Sequence, residues 1–346
     1  MLKVVLISNW RSVILGKKKK FKSKLLIMFI IYEIVFTIIT APFYVLKGPF
    51  ENLKKIVVAT VMGTRHTYLV TTFLSTDEIN KILNNQGGVK DTEAVDVANI
   101  KVNNNRSNEI VRYDLHPDSG RYDGYLLEIP VPTKVKIAVT SKLGVQGEKT
   151  SEMAKEHNAV AAINGGGFYD ANKASFGGAA AYPGGFVISN GQVVFPKDDS
   201  GADVKYSVTA FTKAGQLIVG NYSLNELRQK NVSEAICFRG PVLIANGKGQ
   251  ISSKDAASSG LQPVTAIGQK RDGTVLFLVM DGRKNLIKSG ATMKDAQDEL
   301  LKFGAYNATN LDGGYSSTMY YDGSVINNPH GLNGERYVAT ALYVEP

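Results

Sequence analysis

Asn310-Leu311-Asp312-Gly313-Gly314-Tyr315-Ser316-Ser317-Thr318-Met319 is the stretch around which the second half of the chain is organised. A short apolar segment leads into Asp312, two glycines follow, and two serines come after Tyr315. Paired glycines permit a turn with positive φ and a close approach of the backbone to a ligand. A tight hairpin with an Asx turn is the commoner explanation of a lone Asp-Gly-Gly. A binding role is favoured here because similar stretches recur nearby.

Three other apolar runs end in a polar residue flanked by glycine. The runs end at Asn164, Arg239 and Asp281. If these ends meet at Asp312, they form a pocket with two carboxylates, arginines and many backbone donors. A glycine-rich hairpin at Asn164, an exposed turn arginine at Arg239 and a pair between Asp281 and Arg283 are the structural alternatives.

The residue types at these ends suit a sugar phosphate. The three glycines after Asn164 predict an anion-binding concavity of backbone amides, and Phe168 or Tyr169 offers a stacking face for a sugar ring. Two carboxylates suit cleavage of a glycosidic bond, and arginines suit the attached phosphate. Glu335 and Arg336, before the last predicted strand, either extend this site or form a solvated charge pair.

Histidine and cysteine usage argues against other chemistries. The four histidines (His66, His116, His157 and His330) lie outside the glycine-framed strand ends, which disfavours a Ser-His-Asp hydrolase and a multi-histidine metal site. The single cysteine, Cys237, excludes an intramolecular disulfide and a cysteine-based zinc site. Its apolar neighbours predict a core position.

The N-terminal segment predicts a membrane anchor. A basic run over 17–24 is followed by about 22 mostly apolar residues, 25–46, which is enough for a helix to span a bilayer. The positive-inside rule then places the C-terminal bulk outside the cell. A cleaved signal peptide is the alternative, but the apolar run is long and has no convincing cleavage site. The net charge of +9 therefore indicates topology and contact with anionic lipid, and no nucleic acid partner is expected.

We predict four regions in the 346-residue chain. They are a cytoplasmic basic segment (1–24), a transmembrane anchor (25–46), a juxtamembrane stalk and linker (47–110) and a globular domain (111–346). Residues 51–74, which contain the apolar stretch Ile56–Met62, are predicted to form a juxtamembrane helix or a stalk, and the polar residues 76–110 a linker or a loosely ordered spacer.

The globular domain shows short strand patterns and few helices. The predicted strands are Tyr125–Val131, Lys134–Thr140, Ala159–Ile163, Gly185–Ile188, Gln192–Phe195, Tyr206–Phe211, Gln216–Val219, Ala235–Phe238, Val242–Ala245, Val264–Gly268, Val275–Met280, Ala308–Leu311 and Tyr337–Val344. The predicted helices are Ser151–His157 and Thr292–Phe303, the second with Thr292 as N-cap and Asp295 three residues on. Without regular β-α alternation, this indicates an α+β fold, a β-rich mixed sheet domain with few helices, preceded by an N-terminal transmembrane helix.

The region from Val111 to Pro346 resembles the phosphodiester glycosidase family in the content, order and spacing of its motifs. The matching stretches are Ile163–Tyr169, Gly240–Leu243, Thr265–Gly268, Asp281–Arg283, Asn310–Ser317 and Glu335–Arg336. The resemblance implies hydrolysis of the bond between a sugar's anomeric carbon and a phosphodiester oxygen, giving free sugar and a phosphomonoester, with no cofactor. It implies Asp281 and Asp312 as the acidic pair. The implied substrate-binding residues are Asn164, Gly165, Gly166, Phe168, Tyr169, Arg239, Thr265, Arg283, Gly313, Gly314, Ser316, Ser317, Glu335 and Arg336.

Three positions depart from the family pattern. Val264 stands where the family usually has an arginine, and Arg239 or Arg271 is expected to compensate. Tyr315 occupies the usual third glycine of the Asp-Gly-Gly-Gly turn, and the Asn164 stretch carries an extra glycine. These departures predict a subfamily with its own substrate.

The leading hypothesis is a hydrolase in the cell membrane, anchored through 25–46, whose extracellular domain acts on a sugar phosphate or glycan substrate at the surface. A non-catalytic glycan-binding or exopolysaccharide- and envelope-assembly protein with the same pocket is the alternative, and Val264 favours it. An acyl- or phosphotransfer enzyme using this pocket is a weaker third.

Overall fold

The structure is a computed structural model that describes residues 2–62, 68–75, 78–79, 82, 95–170, 179–238, 240–253, 256, 260–285, 287–329 and 334–346. Arg239, which is predicted to bind the substrate, lies outside these residues. The chain divides into two compact units, Met1–Asn80 and Lys81–Pro346.

The first unit contains α1 (Leu2–Lys47), α2 (Glu51–Met62) and α3 (Tyr68–Thr71). Within α1, the segment Ser23–Lys47 is long and apolar enough to cross a membrane. Most of its apolar side chains are exposed, for example Leu25 at 60% and Ile38 at 67%, although Leu46 near its end is buried. A helix that is apolar on every face needs an apolar environment. The helix predicted over 25–46 is confirmed as a helix, and of the two alternatives for 51–74 the structure shows helix over Glu51–Met62 and Tyr68–Thr71.

The described part of the second unit consists of short strands with three short helices. The helices are α4 (Thr150–Glu156), α5 (Leu224–Gln229) and α6 (Met293–Lys302). The strands are β1 (Val111–Leu115), β2 (Gly124–Ile129), β3 (Val135–Val139), β4 (Ala161–Asn164), β5 (Phe168–Tyr169), β6 (Tyr182–Pro183), β7 (Val187–Ser189), β8 (Gln192–Phe195), β9 (Tyr206–Thr212), β10 (Leu217–Tyr222), β11 (Val232–Cys237), β12 (Val242–Ala245), β13 (Lys248–Gly249), β14 (Val264–Lys270), β15 (Val275–Met280), β16 (Ala305–Asn310), β17 (Met319–Tyr321), β18 (Ser324–Val325) and β19 (Thr340–Val344).

These strands form three main sheets and one two-stranded ribbon. The seven-stranded sheet has the order β1-β2-β15-β14-β16-β12-β13. Two five-stranded sheets have the orders β10-β9-β11-β7-β8 and β18-β17-β4-β19-β3, and β5 pairs with β6. The described strand pairs are antiparallel. The α+β class predicted from the sequence is confirmed.

Burial and capping explain why these segments adopt their structure. All six residues of β15 are buried, as expected for a central strand covered on both faces. Thr292 caps α6: its Oγ1 accepts from the backbone N–H of Asp295, whose carboxylate accepts from the N–H of Thr292. The buried side chains of α6, among them Ala296 and Leu300, pack in one cluster with Leu278 of β15. The N-cap prediction is confirmed.

The region 95–110 differs from the loosely ordered spacer that its polar composition indicated. Val95 and Ile100 are buried in the second unit. The backbone N–H of Lys101 donates to the oxygen of Arg271, and the Gln216 side chain donates to the oxygen of Val97. A few aliphatic residues are therefore enough to hold this polar segment against the rest of the second unit. Residues 83–94 lie outside the described part of the chain.

Candidate functional site

Strand direction brings the two predicted acidic residues to one edge of the seven-stranded sheet. Strands β15 and β16 are each antiparallel to β14, which lies between them, so both run toward the same edge. Val264 pairs with Met280 on one side, and the N–H of Leu311 donates to the oxygen of Thr265 on the other. Two strand spacings, roughly 10 Å, separate the ends of β15 and β16. The predicted convergence of these strand ends is confirmed.

Asn164, at the end of β4, joins a second sheet to this edge. Its side chain is fully buried, and its Nδ2 donates to the backbone oxygen of Asp312 at 2.6 Å. Its Oδ1 accepts from Thr265 Oγ1 at 2.8 Å and from the N–H of Thr318 at 3.1 Å. The amide thus connects three segments of the site. The observed contacts of Asn164 and Thr265 are with protein groups, and their contact with a substrate stays a prediction.

Asn327 holds the same turn from the other side, and sequence analysis did not identify it. Its Nδ2 donates to Asp281 Oδ1 at 2.9 Å and to the oxygen of Ser317 at 3.1 Å. Its Oδ1 accepts from the N–H of Met319 at 2.8 Å. The only sequence signal was an Asn-Asn-Pro turn pattern after a short strand, which is common in loops.

Asp281 is almost completely buried and surrounded by donors. Besides Asn327, its Oδ2 accepts from the N–H of Asn328 at 3.0 Å. Its ion pair is with Lys284, whose Nζ lies 3.2 Å from Oδ2, so the structural alternative of a pair between Asp281 and Arg283 is wrong. The sequence does not predict this pair, because a loop gives no fixed spacing between side chains three positions apart.

Lys284 also belongs to a second acidic contact. Its Nζ lies 3.8 Å from Asp123 Oδ2, while Lys288 donates to Asp123 Oδ1 at 2.6 Å. The hydrogen bond from Lys288 is the main cause that lowers the pKa of Asp123 below its usual value. The N–H of Asp281 donates to the oxygen of Asp123, which fixes the two acids side by side. An alternating row of acids and lysines therefore borders the site.

Arg283 and Tyr315 form a wall of the site. The guanidinium carbon of Arg283 lies 5.9 Å from the centre of the Tyr315 ring. Arg283 has a φ of 57°, unusual for a residue with a side chain. Burial lowers the pKa of its guanidinium, but an arginine stays protonated at neutral pH. Tyr315 therefore supplies a ring beside a cation where the family pattern has glycine.

Three consecutive hydroxyl groups are buried in this turn. Ser316, Ser317 and Thr318 are each 1% exposed, and their side-chain oxygens have no hydrogen-bond partner within the described residues. The backbone enters through Gly313 and then Gly314, whose φ of 63° favours glycine. An unsatisfied buried hydroxyl costs about 1–3 kcal/mol, so such groups are rare outside functional sites. These hydroxyls can donate to an oxyanion.

The predicted anion concavity at Gly165-Gly166-Gly167 is wrong. The N–H groups of Gly165 and Gly166 donate to Thr340, to its backbone oxygen and its Oγ1 respectively, and the N–H of Gly167 donates to the oxygen of Cys237. A Cβ on Gly166 would overlap the oxygen of Cys237. These glycines allow close packing of neighbouring segments, and their amides are engaged by the protein.

The segment before β19 contributes Arg336. Its guanidinium carbon lies 4.8 Å from the centre of the Phe168 ring, and it makes no ion pair or hydrogen bond within the described residues. Glu335 instead binds the start of α4: its carboxylate accepts from the N–H and the Oγ of Ser151. The solvated pair considered for Glu335 and Arg336 is therefore wrong. Tyr169 stacks on Tyr182, with ring centres 5.4 Å apart.

Arg271 cannot replace the arginine that is missing at position 264. Val264 is fully buried at the site end of β14. Arg271 follows the other end of that strand, roughly 20 Å away at 3.3 Å per residue, and its guanidinium lies over the ring of Tyr306 at 4.6 Å. The expectation that Arg271 compensates is wrong.

The surroundings of Cys237 and of the possible metal ligands show whether cysteine or metal chemistry is supported. Cys237 is buried at the end of β11, and burial raises the pKa of its thiol to about 12, which confirms a core role. Among the described residues, no group of three or more His, Cys, Asp or Glu could hold a metal ion.

Comparison with known proteins places this geometry in context. Residues 157–345, more than half of the chain, match the family described as phosphodiester glycosidase. YomE, an SPbeta prophage-derived protein of Bacillus subtilis strain 168, is 29% identical over 185 residues, covering 52% of this chain but only 27% of YomE. The catalytic domain of zebrafish N-acetylglucosamine-1-phosphodiester alpha-N-acetylglucosaminidase, auto-inhibited by its pro-peptide, superimposes with a TM-score of 0.58 at 21% identity, over 75% of this chain and 92% of that domain. The structural match shows the fold.

Proposed function

Since the chain belongs to the phosphodiester glycosidase family, we propose that it hydrolyses the bond between the anomeric carbon of a sugar and a phosphodiester oxygen. Water supplies a hydroxyl to the anomeric carbon and a proton to the departing phosphate oxygen, so the products are free sugar and a phosphomonoester. The observation that carries this proposal is the set of buried hydroxyls of Ser316, Ser317 and Thr318, which have no hydrogen-bond partner within the described residues and lie next to Asp312 at the sheet edge that also holds Asp281.

The two aspartates have different surroundings and therefore different proposed roles. Both oxygens of Asp281 accept from protein donors, and an ammonium lies beside them. Donors on both oxygens and a cation beside them favour negative charge on this side chain, so Asp281 is assigned the role of stabilising positive charge at the sugar. Asp312 is half-buried in the turn and acts as the acid that protonates the leaving oxygen.

Hydroxyls and arginines are proposed to bind the phosphate. Ser316 and Ser317 donate hydrogen bonds, while Arg283 and Arg336 supply positive charge. Val264 stands where the family usually has an arginine. Hydrogen bonds from the serine hydroxyls therefore contribute more to phosphate affinity than the positive charge of arginines does. The Tyr315 and Phe168 rings, each beside an arginine, border the sugar.

The N-terminal helix supports a membrane-anchored, outward-facing enzyme. Ser23–Lys47 is the segment that would span the bilayer, and the basic run 17–24 precedes it, which orients the C-terminal bulk outward. The substrate would then be a sugar phosphodiester in a surface glycan or glycoconjugate. Protease treatment of intact cells, with immunodetection of the intact N-terminus and of the C-terminus, tests this topology; a protected C-terminus contradicts it, and loss of the N-terminal segment from the mature chain indicates a signal peptide.

The activity is tested by incubating the full chain in detergent with a panel of sugar-1-phosphodiesters that includes a nucleotide sugar. Free sugar and phosphomonoester are measured separately. Equal release of both, lost in Asp312→Asn, with the oxygen of isotope-labelled water found in the sugar, supports the proposal. Labelled oxygen in the phosphomonoester indicates cleavage of the phosphorus–oxygen bond, and release of a sugar phosphate indicates cleavage of the other phosphoester bond; either result contradicts it.

A non-catalytic glycan-binding or exopolysaccharide-assembly protein is the second candidate. It is favoured by two observations: Val264 lies at the site edge, and both oxygens of Asp281 are occupied. It predicts no release from any panel member, together with a sugar-phosphate affinity that Arg336→Ala lowers and Asp312→Asn leaves unchanged.

A further inference from the structure

A cavity of about 260 Å³ opens at the end of the second unit remote from the candidate site. Its lining comes from four places: the start of β3 with the residues before it, the turn between β7 and β8, the end of β9 with the turn that follows, and the start of β11. Pro132, Lys136, Asn190, Phe211, Lys213 and Ser233 are among the lining residues.

Two lysines, Lys136 and Lys213, line this cavity beside the Asn190-Gly191 turn. Lys136 Nζ lies 3.8 Å from Glu234 Oε1, an oxygen that also accepts from the N–H of Asn190. Lys213 passes within 3.9 Å of the Cβ position of Gly191. Its ammonium makes no ion pair within the described residues, and the Lys136 contact is longer than a hydrogen bond. Both ammonium groups therefore keep unused donors.

Glu234, the acid beside Lys136, is buried and accepts hydrogen bonds from protein groups. Glu234 is 1% exposed, and its other oxygen accepts from the N–H of Ile137 at 3.0 Å. Glu234 thus ties β11 to β3 and to the β7–β8 turn. A carboxylate engaged in this way neutralises Lys136 only in part and Lys213 not at all. The cavity consequently has an excess of positive charge.

We propose that this cavity is a second binding site, which takes a small oxyanion, such as a phosphate or sulfate group, between Lys136 and Lys213. The site is separate from the candidate catalytic centre. Strand β11 runs from Ser233 at the cavity to Cys237, whose oxygen accepts from Gly167 near that centre. Four residues of extended chain place the two about 13 Å apart.

Glu234 makes this site sensitive to pH. Burial raises the pKa of Glu234 to about 7. The charged and titratable groups around it are Lys136 on β3, and Tyr343 and Glu345 on and after β19. When Glu234 is protonated, Lys136 loses its competing carboxylate, so an anion binds more tightly at pH 6 than at pH 8.

Calorimetric titration of the full chain in detergent with sulfate tests the proposal. Sulfate keeps two negative charges from pH 6 to pH 8, so a change of affinity with pH reports on the protein. The test variant is Lys136→Ala/Lys213→Ala. The control variant, Lys155→Ala/Lys248→Ala, removes two lysines elsewhere in the second unit, and Arg336→Ala removes the cation of the candidate site.

We expect sulfate affinity to fall by about tenfold or more in the Lys136→Ala/Lys213→Ala variant and to persist in the control and in Arg336→Ala. Glu234→Gln should bind at pH 8 as tightly as the native chain does at pH 6. Equal affinity of the native chain and the lysine variant, or loss only in Arg336→Ala, overturns the proposal. Sulfate binding that shows no change with pH and no response to Glu234→Gln overturns the role of Glu234.

Discussion

The side-chain amide of Asn164 donates to the backbone oxygen of Asp312 at 2.6 Å and so joins one sheet to the turn that follows a strand of another. Asn327 binds the other end of the same turn: its Nδ2 donates to the oxygen of Ser317, and its Oδ1 accepts from the N–H of Met319. Two asparagines thus hold the turn by its backbone. The hydroxyls of Ser316 and Ser317 have no partner in the part of the chain that the structure describes, which is why we propose that they bind the substrate.

Replacing Asn164 by alanine should destabilise the protein strongly. The change removes a buried acceptor for Thr265 Oγ1 and the N–H of Thr318, and it removes the donor to Asp312. Leaving such groups unsatisfied costs about 2–4 kcal/mol. The free energy of unfolding from urea titration checks this, with Asn221→Ala on the exposed surface as control. Equal stability of the two variants would show that the turn does not depend on Asn164.

Asp312→Asn should abolish turnover and leave stability nearly unchanged. The half-buried side chain keeps its shape, and the backbone contacts with Asn164 and Gly165 do not involve the carboxylate. We expect kcat to fall by at least about a hundredfold, the range of a lost acid catalyst. Activity close to that of the native chain would remove Asp312 from the mechanism.

Asp281→Asn should lose activity and also stability. One of its two oxygens becomes an NH₂ group, which must face Asn327 or Asn328, both of which donate to this position. Because two donors would then face each other, we expect the free energy of unfolding to fall by about 1–3 kcal/mol. Thermal unfolding of the two aspartate variants in one buffer checks the difference. A Tm equal to that of Asp312→Asn contradicts the buried network.

Lys284→Met should lower kcat more than it changes KM. The substitution removes the ammonium 3.2 Å from Asp281 but keeps an unbranched side chain of similar length. Lys284→Arg should restore much of the activity, because it restores the charge. Lys288→Met is the matched control, since its hydrogen bond is with Asp123 and not with Asp281. Equal losses in both lysine variants would point to general loop damage.

Glu234 should make the protein less stable as pH rises. Its folded pKa of about 7 lies above the ordinary value of 4.5, so the folded state holds the proton more tightly than the unfolded chain. Stability therefore falls between pH 4.5 and 7, by up to about 3 kcal/mol, and levels off above that range. Glu234→Gln should remove this decline in urea titrations at pH 5 and 8, whereas Glu226→Gln, whose carboxyl has a lowered pKa, should not.

Local patterns predicted much of the architecture. Gln192–Phe195, Val242–Ala245 and Val275–Met280 are strands with the predicted bounds, and Thr292 caps its helix as expected. Each depends on neighbouring residues alone: alternating or continuous apolar residues between turn signals, or a threonine three residues before an acid. The apolar run before each aspartate also placed Asp281 and Asp312 at strand ends, and the structure brings these two ends to one edge of the sheet.

Long-range partners were not predictable in the same way. The amides of Gly165, Gly166 and Gly167 are engaged by Thr340 and Cys237, which are distant in sequence, so a glycine-rich stretch that suited an anion serves close packing. Asp281 pairs with Lys284 and Asn327 because a loop and a second turn meet there.

The sequence alone determined the class of fold, the apolar N-terminal helix and the acidic residues at the strand ends, because periodicity and residue type act over a few neighbours. The tertiary structure decided which donors and acceptors remain for a ligand. A hydrogen bond forms only between groups that the fold brings within about 3 Å of each other, and among the described residues the fold brings no partner to the hydroxyls of Ser316, Ser317 and Thr318.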